Sequence, residues 1–251
     1  MCETSNHPNG FSLAIARDLA GFSAVAYEPV IHGAGIKVLE APALNLRAVV
    51  AYYDGHIEIA IRGTNSLENW ILDLDVRKTA IAKGVELHDG ILTGADALLR
   101  LIRAELLPPG VPAGRLKSIR VTGHSLGGGI ASVVAYELAR DGAPIEAVYT
   151  FGSPRVGSAG WRQAYTKVLG DCSYRVVAAG DLVPLLPGLL DGYRHVGQEI
   201  LLTEHGIFAR PPHWWEIIQD SWRVLTAMGR GNAAPIVKFH SINRDYLPLL
   251  K

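Results

Sequence analysis

One run of residues, Val121-Thr122-Gly123-His124-Ser125-Leu126-Gly127-Gly128-Gly129, limits what this chain can fold into more than any other part of its 251 residues. The segment Lys117–Gly123 reads as a β-strand that delivers the chain to a Gly-x-Ser-x-Gly turn, and a helix begins at about Leu126. Gly123 and Gly127 leave room for a tight strand-to-helix reversal at Ser125, where a Cβ on either side would clash. A serine hydroxyl is a poor nucleophile unless the backbone holds it exposed beside a base and an oxyanion site. The unpaired N-terminal amides of the following helix point toward negative charge that develops near Ser125. The pentapeptide sits in the strand–turn–helix context that this chemistry requires.

The rest of the chain predicts the scaffold for such a turn. A helical pattern covers about 12–27, with Leu13, Ala16, Ala20 and Ala24 on one side. Strand-like runs at Leu46–Tyr53 and His56–Arg62 flank Asp54-Gly55, a hairpin signal. Residues 75–87 read as strand and turn, and Asp89 can cap a helix running to about Leu107, where Pro108-Pro109-Gly110 stops it. After the helix Leu126–Arg140 come a strand at Glu146–Phe151, a helix near Ser158–Leu169 and a strand at Tyr174–Ala178. Strands alternating with helices imply a mostly parallel sheet covered on both faces, an α/β fold. No repeat or linker interrupts the pattern, so residues 1–251 are expected to form one domain.

Composition narrows the partners. Twenty-four basic residues balance 24 acidic ones, which disfavours nucleic acid or a highly charged substrate. The two cysteines, Cys2 and Cys172, cannot build a disulfide framework. The first ten residues are polar without a signal-peptide core, and no apolar run approaches the roughly 18–20 residues of a transmembrane helix. A soluble, cytoplasmic protein is the default expectation, or a secreted one if a leader has been removed.

An activated serine needs a base and an acid that orients it, and in this class of fold they follow in the order Ser, Asp or Glu, His. Asp181, just past the strand Tyr174–Ala178, falls on the carboxyl rim of the sheet where ligand sites gather. It reads equally as the turn former of a Gly-Asp pair. Asp141 and Asp171 sit at the opposite approach to strands. Chain order leaves His195, His205, His213 and His240 for the base. His240 follows the apolar stretch Pro235–Phe239 and fits a loop facing the rim, whereas His195 reads as a strand residue, His205 as a turn and His213 as a helix start. His124, inside the turn, is expected to pack. The Leu126 amide is one expected oxyanion donor, and Thr64, after the strand end Ile59-Ala60-Ile61-Arg62-Gly63, is the second or part of an ordinary turn.

These residues resemble the class 3 lipase family of α/β-hydrolases. The matching pieces are Ile61-Arg62-Gly63-Thr64-Asn65-Ser66-Leu67-Glu68-Asn69-Trp70, His88-Asp89-Gly90, Gly123-His124-Ser125-Leu126-Gly127-Gly128, Thr150-Phe151-Gly152-Ser153-Pro154-Arg155-Val156-Gly157, Asp181-Leu182-Val183-Pro184 and Phe239-His240-Ser241-Ile242 with Tyr246. Thr64, Ser125, Asp181 and His240 are spaced 61, 56 and 59 residues apart, similar to the family's intervals. The resemblance covers roughly 40–200 plus the C-terminus. It implies the α/β-hydrolase fold with a short helical lid, Ser125 as nucleophile, His240 as general base and acid, Asp181 as its orienting partner, and Thr64 with Leu126 as oxyanion donors. It implies an acyl-enzyme route with no metal and no organic cofactor. Unlike the fungal members, this chain has no disulfides, Ile91 stands where an aromatic is expected, and residues of about 204–235 match no family feature.

Substrate class rests on the segment after Thr64. Leu67, Trp70, Ile71 and Leu74 fall at i, i+3, i+4 and i+7, the apolar stripe of a short helix with Ser66 as its N-cap. In the lipases it resembles, residues corresponding to 66–74 form a lid that opens at a lipid–water interface; an ordinary surface helix is the plain alternative. The apolar stretch Leu182–Leu190 lines an acyl groove or packs as a loop. Trp215, Ile218, Trp222 and Leu225 make another helical stripe, read as core. The expectation is a carboxylic ester hydrolase acting on acylglycerols in lipid degradation. Feruloyl-type or short-chain esterases and phospholipases are the alternatives within the enzymes, and a non-catalytic lipid-binding module is the alternative outside them.

Overall fold

The computed structural model describes residues 10–251 apart from 65–66, 73–74, 109, 111, 189, 210–225 and 227–229. The expected cap Ser66, the last stripe residue Leu74 and the stripe Trp215–Leu225 therefore lie outside the described residues.

Ten strands form among the described residues: β1 (Ile36–Ala41), β2 (Leu46–Tyr52), β3 (His56–Ile61), β4 (Lys78–Ala82), β5 (Val85–His88), β6 (Ser118–His124), β7 (Ile145–Phe151), β8 (Ser173–Ala178), β9 (Gln198–Thr203) and β10 (Gly206–Phe208). The main helices are α1 (Leu13–Val25), α2 (Leu67–Leu72), α3 (Asp89–Leu106), α4 (Leu126–Arg140) and α5 (Ala159–Leu169). Eight strands make one sheet in the order β1-β2-β3-β6-β7-β8-β9-β10, and β4 pairs with β5 apart from it. The five strands from β3 to β9 in that order run parallel, while β1–β2–β3 and β9–β10 are antiparallel. The Asp54-Gly55 hairpin forms as expected, with Tyr52 opposite Ile57. The strands β1, β9 and β10 extend the sheet beyond what the apolar pattern marked.

Alternation along the strands divides the core into two layers. Ile57, Ile59 and Ile61 of β3, Val121 of β6 and Val148 of β7 pack with residues of α3, α4 and α5 on one face. Ala147, Tyr149 and Phe151 of β7 point the other way, against Ala16, Leu19 and Ala20 of α1 and the C-terminal residues Ile242, Tyr246 and Leu250. The helix α3 begins at Asp89, but its cap is His88, whose Nδ1 accepts the amides of Gly90 (3.1 Å) and Ile91 (3.4 Å). An imidazole reaches back over the first turn here, and the Asp89 carboxylate accepts from the Thr79 hydroxyl instead.

The parallel strands place their carboxyl ends on one rim. Gly63 and Thr64 follow β3, Ser125 follows β6, Gly152 follows β7, and Asp181 lies past β8. The α4 helix crosses so close beneath this rim that a Cβ on Gly127 would meet the Ile61 carbonyl and lie 2.7 Å from the Gly63 nitrogen. On Gly123 it would lie 2.9 Å from the Gly128 nitrogen. Gly127→Ala is therefore expected to cost about 3 kcal/mol or more of folding stability, read from urea unfolding midpoints. Gly21→Ala, in α1 with open space around it, is expected to raise stability by about 0.5–1 kcal/mol in the same assay.

Candidate active site

Ser125 sits in the left-handed half of backbone space, φ 61° and ψ −135°, one of two described non-glycine residues with positive φ. Such a conformation is strained for a side chain with a Cβ and persists only where its surroundings over-determine it. Here the Ser125 amide donates to the Phe151 carbonyl at 2.9 Å, and the Ser125 carbonyl accepts the Gly128 amide at 2.9 Å. The turn presses Ser125 against the start of α4, and the first amide of that helix belongs to Leu126, one of those a helix leaves without an intrahelical acceptor.

Asp181 follows Gly180, whose φ of +86° turns the chain back after β8. Its carboxylate is enclosed and has three donors. Oδ1 accepts the Val183 amide at 3.0 Å, and Oδ2 accepts both the Tyr246 hydroxyl and His240 Nδ1–H, the latter at 2.7 Å. His240 arrives from the other end of the chain, between the short helix Ala234–Val237 and the π-helical turn Ile242–Tyr246. Because the carboxylate can only accept, Nδ1 carries a hydrogen, and in the neutral ring Nε2 has the lone pair. That Nε2 is buried with no hydrogen-bond partner among the described residues, and so is Ser125 Oγ. A buried hydroxyl and a buried imidazole lone pair that lack partners are costly unless something engages them.

Of the competing histidines, His205 lies in the exposed β9–β10 turn and His213 is outside the described residues. His195 is not a strand residue. It follows the isolated bridge between Gly157 and Arg194, bonds the Pro184 backbone, and is pushed well below the usual histidine range by burial and then by Arg175. Two residues that sequence reading left without a role complete the dyad's surroundings. Tyr246 is the second donor to Asp181, and a Cβ on Gly152 (φ +58°) would lie 2.6 Å from His240 Cε1. Nothing local in the sequence distinguishes that glycine from one in an ordinary turn.

The Arg-Gly-Thr segment is pinned from both sides. Arg62 is buried and donates to the Asn45 carbonyl and side-chain oxygen at 2.9 and 2.8 Å. The Gly63 amide donates to the Tyr27 hydroxyl at 3.1 Å, and a Cβ on Gly63 would lie 2.8 Å from the His124 carbonyl. Thr64, half-buried, follows directly. His124 packs, as expected, and also bonds: Nε2 lies 2.7 Å from the His240 carbonyl and Nδ1 3.2 Å from the Tyr27 hydroxyl.

The helix α2 spans Leu67–Leu72 and turns its stripe inward. Ile71 is fully buried against Leu182, Val183, Leu186 and Ile236, with Leu67 and Trp70 partly buried beside it. The Leu182–Leu186 segment is thus a packed loop in this conformation, and α2 rests on the segments that carry Asp181 and His240. No helix among the described residues is long and apolar enough to cross a membrane, and no group of His, Cys, Asp and Glu among them is arranged to hold a metal ion.

Comparison with known proteins meets this geometry. Residues 58–190, just over half of the chain, match the family model described as lipase (class 3). The secreted mono- and diacylglycerol lipase 1 of Fusarium solani is 36% identical over 148 residues, covering 58% of this chain and 44% of that protein. The lipase of Rhizomucor miehei is 31% identical over 178 residues, covering 68% and 48%. The solved structure of the Rhizomucor miehei triacylglyceride lipase superposes with a TM-score of 0.67 at 26% identity, covering 77% of this chain and 81% of that one. It shares the α/β-hydrolase fold. The chain spans about half the length of the curated relatives it matches. A relative named as secreted lends no support to the cytoplasmic default.

Tyr246→Phe removes one of three donors to an enclosed carboxylate and is expected to cost about 1–3 kcal/mol of stability, measured by chemical denaturation. Burial holds His88, His124 and His195 below the ordinary histidine value of 6.5. The unfolded chain then binds more protons than the folded one below pH 6.5, so stability present above that pH is lost as pH falls. The melting temperature is expected to drop steadily from pH 7 to pH 5, and His88→Asn, which keeps a capping oxygen without a titrating ring, is expected to flatten the slope.

Proposed function

Since the chain belongs to the class 3 lipase family, we propose that it is a serine carboxylic ester hydrolase acting on acylglycerols at a lipid–water interface. The observation that carries the reading is the pair of buried, unpartnered atoms, Ser125 Oγ and His240 Nε2, with Asp181 bonded to the other nitrogen of the His240 ring. His240 Nε2 takes the Ser125 proton as Oγ attacks the ester carbonyl, and the imidazolium formed is stabilised by Asp181. The tetrahedral oxyanion is met by the amides of Leu126 and Thr64, donors that act more strongly on the developing charge than on the ground-state carbonyl. His240 then protonates the leaving alcohol, and water, activated by the same imidazole, releases the fatty acid from Ser125.

The helix α2 supports the lipase reading over a soluble-ester one. Its buried stripe of Leu67, Trp70 and Ile71, with Leu74 beyond the described residues, leans on the loop after Asp181. Displacing such a lid exposes apolar surface, and a lipid interface lowers that cost. The reading takes residues 1–251 as one catalytic unit, supported by α1 and the C-terminal turn packing on the same sheet that carries Ser125. The substrate names of the relatives, mono- and diacylglycerol in one and triacylglyceride in another, support acylglycerols as the substrate class.

An organophosphonate is expected to form one covalent adduct at Ser125, found by peptide mass spectrometry, and none on Ser125→Ala. On a series of glycerol esters, activity is expected to rise sharply as the substrate passes from solution to dispersion. Hydrolysis confined to short soluble esters would replace the lipase with an esterase, and absence of any adduct in folded protein would leave a lipid-binding module.

A further inference from the structure

Tyr27 and His124 link the two halves of the site through a chain of hydrogen bonds. The His240 carbonyl, 2.7 Å from His124 Nε2, can only accept, so Nε2 carries a hydrogen. The His124 ring is fully enclosed, and burial holds it neutral, far below the usual histidine range. Its Nδ1 is therefore an acceptor, and the Tyr27 hydroxyl donates to His124, with Nδ1 at 3.2 Å and the backbone carbonyl at 3.4 Å as its acceptors. Burial pushes the Tyr27 phenol up to about 12, so that hydrogen stays in place. The Tyr27 oxygen is left to accept the Gly63 amide at 3.1 Å. The chain runs from the backbone beside Thr64, through two side chains, to the backbone of His240.

We propose that His124 and Tyr27 are positioning residues that set the distance between the oxyanion donor at Thr64 and the base His240. The inference rests on the hydrolase reading above. Neither side chain touches the reacting atoms; Tyr27 acts through the backbone of Gly63, the neighbour of Thr64, and His124 through the backbone of His240. The four linked segments are the stretch just past α1, the end of β3, the end of β6 and the C-terminal loop, so no short-range turn holds them in register. The His124 ring also lies 4.5 Å, centroid to centroid, from that of His240, tilted 33°, and fixes its plane. A shift of about 1 Å in such a site lowers turnover by up to roughly 100-fold. A merely space-filling His124 would need neither bond.

The test compares the full-length protein with Tyr27→Phe, His124→Asn and the double variant, using p-nitrophenyl butyrate. Tyr27→Phe keeps the ring and loses one oxygen, so it is expected to melt near the parent. The expected result is a fall in kcat of about 10-fold in each single variant with KM within about twofold, since the geometry matters most in the transition state. The double variant is expected to lose no more than the poorer single one, because a chain cut once is not weakened by a second cut. Proton NMR of the His240 Nδ1–H, which needs no turnover, is expected to show that resonance shifted or broadened in both variants. A Tyr27→Phe protein with parental kcat and an unmoved resonance would overturn the inference, as would losses that multiply in the double variant. If the parent itself hydrolyses no ester, the hydrolase reading falls, and the resonance alone decides whether the chain positions His240.

Discussion

The contact on which this structure depends is the one between α4 and the end of β3, where Gly127 lies against the Ile61 carbonyl and the Gly63 amide nitrogen. Ser125 adopts a backbone conformation that costs of order 1–3 kcal/mol, and it does so because a strand, a helix and the Arg62–Gly63 segment leave no alternative path. The same contact sets the first amide of α4 beside the strand end that carries Thr64. Strain at Ser125 and the nearness of the α4 start to the Arg62–Gly63 segment thus have a single cause: helix and strand approach to within the space a methyl group would occupy.

Around that contact many of the buried polar groups are held by hydrogen bonds. Asp181 has its three donors, Arg62 has the Asn45 oxygens, and His124 has a donor on one nitrogen and an acceptor on the other. Paired polar networks in a low-dielectric interior hold their members in place, because any displacement leaves an unpaired group. Arg155 extends this to the far side of the Asp181 loop, donating to the Leu185 and Pro187 carbonyls while burial and the nearby Arg175 bring it down to about 10. Ser125 Oγ and His240 Nε2 are among the buried atoms that have no hydrogen-bond partner in the described residues.

The scaffold was legible because it rests on periodic signals. The helix from Leu126 to Arg140 and the hairpin at Asp54-Gly55 match their predicted bounds closely, since glycine breaks and apolar alternation are local properties of the chain. The edge strand β1 and the pair β9–β10 were missed because an edge has one face or less to bury and so a weak pattern. Asp89 was read as the cap of α3 on residue type, whereas His88, one residue earlier, holds the two free amides. A side-chain nitrogen that reaches a helix end is a matter of backbone direction, which composition does not encode.

The sequence by itself determined that a serine would stand on a strained strand-to-helix turn, with an aspartate and a histidine following in order on the carboxyl rim. Glycine spacing places the serine, while chain order alone leaves four histidines and an aspartate that reads equally as a turn former, and the motif resemblance selects Asp181 and His240. Tertiary structure alone decided that Asp181 would meet His240 and Tyr246, that Gly152 would back them, and that His124 would bridge Tyr27 to the His240 backbone. Those partners are 59 to 116 residues apart. Their meeting follows from the closure of a parallel sheet whose strand ends share one rim, a property of the folded chain that no local pattern carries.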